Sequence, residues 1–217
     1  PAACQNLAAH LAAAVRLNLK DAVLDLGCGT GQISADLLKR YKSAQVLGID
    51  LAASMVQKTC QRGGWLRKPK GICADVSQLP LKDQCADMAL SNLMLQWCND
   101  LPTTFREIAR VLKPQGLFMF ATLGTDTLKE LRASWAKVDG FTHTNQFQDM
   151  HDIGDALLAA GFRDPVVDRQ DKVLLYDQVK DLLKDFSRDS VLWGIDGDWM
   201  VNFIPKEKPF YPTDHCG

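Results

Sequence analysis

An apolar run closed by three alternating glycines, Val23-Leu24-Asp25-Leu26-Gly27-Cys28-Gly29-Thr30-Gly31, constrains this chain more than any other stretch. A near-continuous apolar run of this length reads as a buried parallel strand. Glycines at its end let the backbone turn sharply and approach a ligand with no Cβ in the way. Residues 33–40 then open a helical pattern, so the stretch reads as strand, glycine loop and helix, an arrangement suited to nucleotide-like ligands. A dinucleotide fingerprint has Gly or Ala three positions after its second glycine. Here Gly29 leads to Gln32, leaving the tighter G-x-G-x-G form.

Two further strand ends agree. Residues 44–50 form an apolar run ending in Asp50, and residues 71–75 form another ending in Asp75. Carboxylates at these positions suit a ribose diol and an adenine amino group respectively. The ordered set predicts an S-adenosylmethionine site built from Asp25, Gly27, Cys28, Gly29, Thr30 and Gly31 in the loop, Asp50, Leu51 and Met55 after the second strand, Asp75 and Val76 after the third, and Ser91 and Asn92 after the fourth. Cys28 reads as a small loop filler, since no His or acid is placed to activate it as a nucleophile.

The 217 residues, 47% hydrophobic and 24% charged, suffice for one domain with a substantial core. A net charge of -1 argues against a general nucleic-acid or anionic-membrane surface. Seven cysteines with no C-x-x-C spacing, and four histidines without ligand spacing, indicate neither a disulfide framework nor a metal site. The expectation is a cytoplasmic monomer with no metal, nucleic-acid or membrane partner.

Helical spacing of Leu7, Leu11, Ala14 and Val15 predicts an opening helix before the first strand at 22–26. Strands are then expected at 44–50, 71–75, 86–92, 117–122, 166–167 and 173–175. Helices are expected at 105–112, 127–138 and 149–160, a turn at 113–116, and a C-terminal cap at Gly161. Alternating βα units imply a mostly parallel seven-stranded sheet with helices on both faces, an α/β Rossmann-like arrangement that, together with the glycine loop and strand-end carboxylates, is similar to the class I methyltransferase fold. Its ligands sit beyond the carboxyl ends of the strands. Residues 1–186 are read as this domain and 187–217 as a tail without assigned structure.

Ser91-Asn92-Leu93-Met94-Leu95-Gln96-Trp97-Cys98 and Ala121-Thr122-Leu123-Gly124-Thr125-Asp126-Thr127-Leu128-Lys129-Glu130-Leu131-Arg132 resemble segments of the malonyl-acyl-carrier-protein O-methyltransferases. The stretch with Val138, Asp139, His143, Asn145 and Phe147, and the 149–157 segment, are similar to that family too. The resemblance covers about residues 5 to 185. It implies methylation of the free carboxylate of malonyl-acyl-carrier protein, with an acyl carrier protein as partner, so that fatty-acid synthesis can build the pimeloyl part of biotin. It also implies positioning roles: Asn92, Gln96 or Trp97 for the malonyl group, and Arg132, His143 or Asn145 for its thioester end.

Alternatives stand beside these roles and that activity. Gln96 and Trp97 also fit as wall packing, Arg132 as a partner of Glu130 or Asp126, and His143 as a loop cap. The acceptor also fits another small molecule such as a quinone precursor, or the chain a SAM-binding fragment without catalysis. Arg62, Arg67, Lys68 and Lys70, and again Arg106, Arg110 and Lys113, are two basic clusters that fit either an acidic carrier protein or solvated faces. No residues ahead of Pro1 supply the family's Tyr-bearing lid, and 187–217 follows none of its pattern, so the lid is expected to be missing and the tail divergent.

Overall fold

The computed structural model describes residues 22–137, 147–170 and 199–205. Strands β1 (Ala22–Leu26), β2 (Gln45–Asp50), β3 (Lys70–Cys73), β4 (Ala86–Asn92) and β5 (Leu112–Leu123) pair in parallel. β6 (Val166–Gln170) and β7 (Trp199–Pro205) complete the sheet in the order β3-β2-β1-β4-β5-β7-β6, with β7 antiparallel to both neighbours. Helices α1 (Gln32–Arg40), α2 (Ala53–Gln61), α3 (Leu101–Val111), α4 (Lys129–Trp135) and α5 (Met150–Ala159) connect the strands.

Period-two alternation along the strands feeds two cores. Val23, Val46, Met88, Leu90 and Met119 bury against Leu37 and Leu38 of α1. Leu24, Leu26, Ile49, Ala89, Phe118 and Phe120 face Phe105 and Ile108 of α3, with Ile153 and Leu157 of α5. Helices therefore cover both faces, as the βα alternation requires. α2 lies on the α1 face and comes so close that a Cβ on Gly48 would sit 2.8 Å from Thr59 Cγ2, and one on Gly71 2.5 Å from Val56 Cγ1.

Several boundaries move from expectation. The turn expected at 113–116 is an irregularity inside β5: pairing runs from Ala86↔Leu112 to Met88↔Leu117 with a register shift, and Gln115 takes φ 67°. The turn-forming residues are real, but pairing with β4 resumes beyond them, so they make a bulge. β3 ends at Cys73, which leaves Asp75 two residues past the strand, and the helix expected at 127–138 is shortened to α4. The strand expected at 173–175, like the opening helix, lies outside the described residues. β7 instead comes from the 187–217 stretch that had no assigned structure. Gly161, at φ 89°, does close α5: its N–H donates to Leu158 O, and Phe162 N–H reaches back to Leu157 O.

Strand order reverses between β1 and β4, so their flanking connections diverge and open a crevice at the carboxyl ends of the strands. The glycine loop and the end of β4 both lie at that point.

Candidate functional site

The loop after β1 is fastened to the end of β2. Gly27 and Cys28 donate their N–H groups to Ile49 O at 2.8 and 3.0 Å. Asp50 Oδ2 accepts the Gly29 N–H, and Asp50 Oδ1 the Ala52 N–H, both at 2.9 Å. Each carboxylate oxygen keeps a further lone pair for a ligand donor. The three glycines serve different ends. A Cβ on Gly27 would stand 2.4 Å from Met94 Cγ, and one on Gly31 2.7 Å from Thr59, so both permit close packing. Gly29, at φ 51°, would meet nothing within 4 Å, because it faces open space where a ligand's backbone-hugging part fits.

That space is a cavity of about 590 Å³. Its wall includes Gly27 and Gly29; Asp50, Leu51, Ala52 and Met55; Ala74, Asp75, Val76 and Ser77; and Asn92, Leu93, Met94, Trp97, Cys98, Asn99, Asp100 and Thr104. Of the residues expected to bind a cofactor, Gly27, Gly29, Asp50, Leu51, Met55, Asp75, Val76 and Asn92 meet here. Asp25, Cys28, Thr30, Gly31 and Ser91 are not part of the wall. Asp25 is buried beneath the loop, where it accepts the Ser34 hydroxyl hydrogen bond. Burial pushes its carboxyl up to about 6 against that hydrogen bond. Cys28 is buried against Gly48, and burial pushes its thiol up to about 12, so it is a neutral filler at pH 7. Ser91 is fully buried, and its Oγ has no partner among the described residues.

The acceptor-side candidates separate in the same way. Trp97 is 54% exposed and forms part of the cavity wall, on a 3-10 turn (Leu95–Trp97) after β4. Gln96 is held at both ends of its amide, Nε2 donating to Leu93 O at 2.7 Å and Oε1 accepting from Thr122 Oγ1 at 3.3 Å. Arg132 donates to the carbonyls of Thr125 and Thr127, so it braces its own loop and does not reach the wall. Asp126 pairs with Arg169 instead. His143 and Asn145 lie outside the described residues.

The basic clusters are largely committed to the fold. Arg67 donates to the carbonyls of Leu38, Tyr41 and Ala44 at the end of α1, where a cation also meets the negative end of the helix dipole. Arg110 binds Glu107, Asp83 and two loop carbonyls, and Lys113 pairs with Asp87.

Sequence reasoning missed Ala52, Ala74, Ser77, Leu93, Met94, Cys98, Asn99, Asp100 and Thr104 as wall residues. Ser77 was within reach: its hydroxyl and N–H both donate to Asp75 Oδ1 at 2.8 Å, the Asx-type turn that Asp-Val-Ser predicts. Among the described residues the wall carries three carboxylates, Asp50, Asp75 and Asp100, and no Lys, Arg or His. Its chemistry suits a ligand that bears positive charge together with hydroxyl and amino donors.

Residues 24–120 match the family model described as a methyltransferase domain. Malonyl-[acyl-carrier protein] O-methyltransferases from Halorhodospira halophila and Gallionella capsiferriformans are 47% and 49% identical over 163 and 169 residues. Each alignment takes in 75% of this chain, but 55% and 58% of the relative. The chain thus spans a little over half the length of the curated relatives it matches. Among solved structures, a Haemonchus contortus phosphoethanolamine N-methyltransferase 2 in complex with S-adenosylhomocysteine superposes with a TM-score of 0.70 at 18% identity, over 94% of this chain and 53% of that one. A putative sarcosine dimethylglycine methyltransferase from Galdieria sulphuraria gives 0.69 at 17% identity, over 95% and 86%. These likenesses establish the Rossmann-like methyltransferase fold.

Proposed function

We propose that this chain is a class I methyltransferase that methylates the free carboxylate of malonyl-acyl-carrier protein with S-adenosylmethionine as donor. The observation that carries the donor half is the cavity wall: an open-faced Gly29 beside Asp50, Asp75 and Asp100, with no basic side chain among the described wall residues. A sulfonium and an ammonium are favoured by that charge pattern, and a nucleoside by the apolar surfaces of Leu51, Met55 and Val76. Asp50 takes the ribose hydroxyls, and Asp75 the adenine amino group.

S-adenosylmethionine supplies an electrophilic methyl group on sulfur. The acceptor carboxylate is ionised at pH 7, so one of its oxygens bonds to the methyl carbon as the carbon–sulfur bond breaks, with its electron pair left on sulfur. No proton moves and no general base is needed. The work left to the protein is alignment and exclusion of water. Asn92 and Trp97, which share the wall with the donor site, orient the malonyl end. His143 and Asn145 are the proposed contacts for the thioester end. The identity of 40% or more shared with the malonyl-acyl-carrier-protein enzymes supports the acceptor.

The product ester masks the charge, and chain extension can then treat the acyl group as apolar on the way to the pimeloyl part of biotin. We place this work in a reducing cytoplasm. Support comes from the five free cysteines among the described residues. Expression of the chain in a bacterial host deleted for its own malonyl-carrier methyltransferase tests the proposal. Growth without biotin is expected. Biotin dependence despite soluble protein that binds S-adenosylhomocysteine would overturn the acceptor assignment.

A further inference from the structure

The turn that carries Trp97 is built around an unfavourable backbone conformation. Leu93, the residue after β4, takes φ 55°, a region that costs a side-chain-bearing residue energy and persists only where the surroundings hold it. Its two peptide groups are both held. Leu93 N–H donates to Ala121 O of β5 at 2.8 Å, and Leu93 O accepts the Gln96 amide at 2.7 Å. The other end of the same amide accepts the hydroxyl of Thr122, also on β5 and 2% exposed. Gln96 therefore spans from the strained residue to the neighbouring strand. Met94 presses on Gly27, and Trp97 N–H donates to Met94 O, so the turn touches the glycine loop on one side and β5 on the other.

We propose that Gln96 and Thr122 form a positioning pair that sets the Trp97 ring at the acceptor end of the cavity without touching either substrate. The inference rests on the reading that Trp97 faces the methyl acceptor. It assigns Gln96 a different task from direct contact with malonate, and it brings in Thr122, whose hydroxyl is needed because it is the donor that fixes the amide's orientation. Thr122→Val removes that donor at nearly constant shape, and Thr122→Ser keeps it. Loss of one buried hydrogen bond to a side chain that acts through another corresponds to roughly a tenfold effect.

The test uses the full chain labelled with 5-fluorotryptophan, the Trp97 resonance being identified by Trp97→Phe among the five tryptophans. In Thr122→Val and Gln96→Ala the Trp97 resonance is expected to shift or broaden. The kcat/KM for malonyl-carrier protein should fall about tenfold, S-adenosylhomocysteine binding should stay within about twofold, and Thr122→Ser should restore both readouts. An unmoved Trp97 resonance in Thr122→Val, an equal loss of S-adenosylhomocysteine affinity, or failure of Thr122→Ser to restore would overturn the pair. If the parent chain does not methylate malonyl-carrier protein, the proposed function fails. The fluorine resonance and the binding measurement still decide the positioning role.

Discussion

Asp25 and Asp50 sit at the carboxyl ends of adjacent strands, yet their environments assign them opposite tasks. Asp25 is buried, and its carboxyl is raised from 3.8 to about 6 mainly by loss of hydration. A folded Asp25 thus holds its proton between those values while an unfolded one releases it, so the folded state binds more protons there and stability falls as pH rises from 3.8 to about 6. Asp25→Asn removes the buried charge and leaves an acceptor for Ser34. It is expected to raise stability at about pH 7.5 by up to about 3 kcal/mol and to give no advantage near pH 4. Thermal unfolding of both proteins at the two pH values checks this, and an equal difference at both would contradict it. Asp50 has the reverse character, since its oxygens anchor the loop and face the cavity. Asp50→Asn should weaken S-adenosylhomocysteine binding by about 10- to 100-fold in calorimetry, the worth of a hydrogen bond to a charged group.

At this scale the glycines and Asp50 were legible because spacing alone fixes their place at strand ends. Gln96 and Arg132 were not. A polar side chain beside a strand end reads equally as ligand contact or as frame, and only the positions of Leu93 O, Thr122, Thr125 and Thr127 decide for the frame.

Among elements, the best-read were those whose apolar period is unbroken. β4 was expected at its observed bounds, and α3 only four residues short at its start. There the cap is Asp100, whose side chain accepts the Thr103 N–H, a signal present in Asp-Leu-Pro-Thr. The 113–116 bulge and β7 were missed for different reasons. Turn residues announce a reversal, but whether pairing resumes depends on β4. The run Trp199-Met200-Val201 followed by Phe203-Ile204 was available as a strand signal and was passed over because the whole tail looked divergent.

Two predictions belong to elements. Phe105 of α3 is fully buried with its ring 6.1 Å from those of both Phe118 and Phe120, so Phe105→Ala should cost about 3–5 kcal/mol in urea unfolding. Arg67→Ala strips three carbonyls at the end of α1 of their donor and should cost about 1–3 kcal/mol, while exposed Lys68→Ala should stay within about 0.5 kcal/mol. Equal effects of the two substitutions would show that the cluster is only a solvated face.

For the molecule as a whole, the five parallel strands of the seven-stranded sheet, with a switch point between β1 and β4, gather the ends of four strands around one cavity. Its described wall is acidic, as suits a cationic donor, and the turn after β4 is the proposed acceptor side. This division could be anticipated from the order of strand-end residues, because βα units with right-handed crossovers leave few ways to arrange them. The proposed acceptor could not be anticipated from spacing, since a carboxylate needs neither a base nor a metal, and so leaves no catalytic signature beyond the family resemblance.

The central claim is most directly tested by transfer of labelled methyl from S-adenosylmethionine to malonyl-carrier protein, measured beside acetyl-carrier protein, which has no free carboxylate. Label on the malonyl form alone, released by mild alkali as expected of an ester, is the predicted result. Label on neither, or equally on both, would contradict the account.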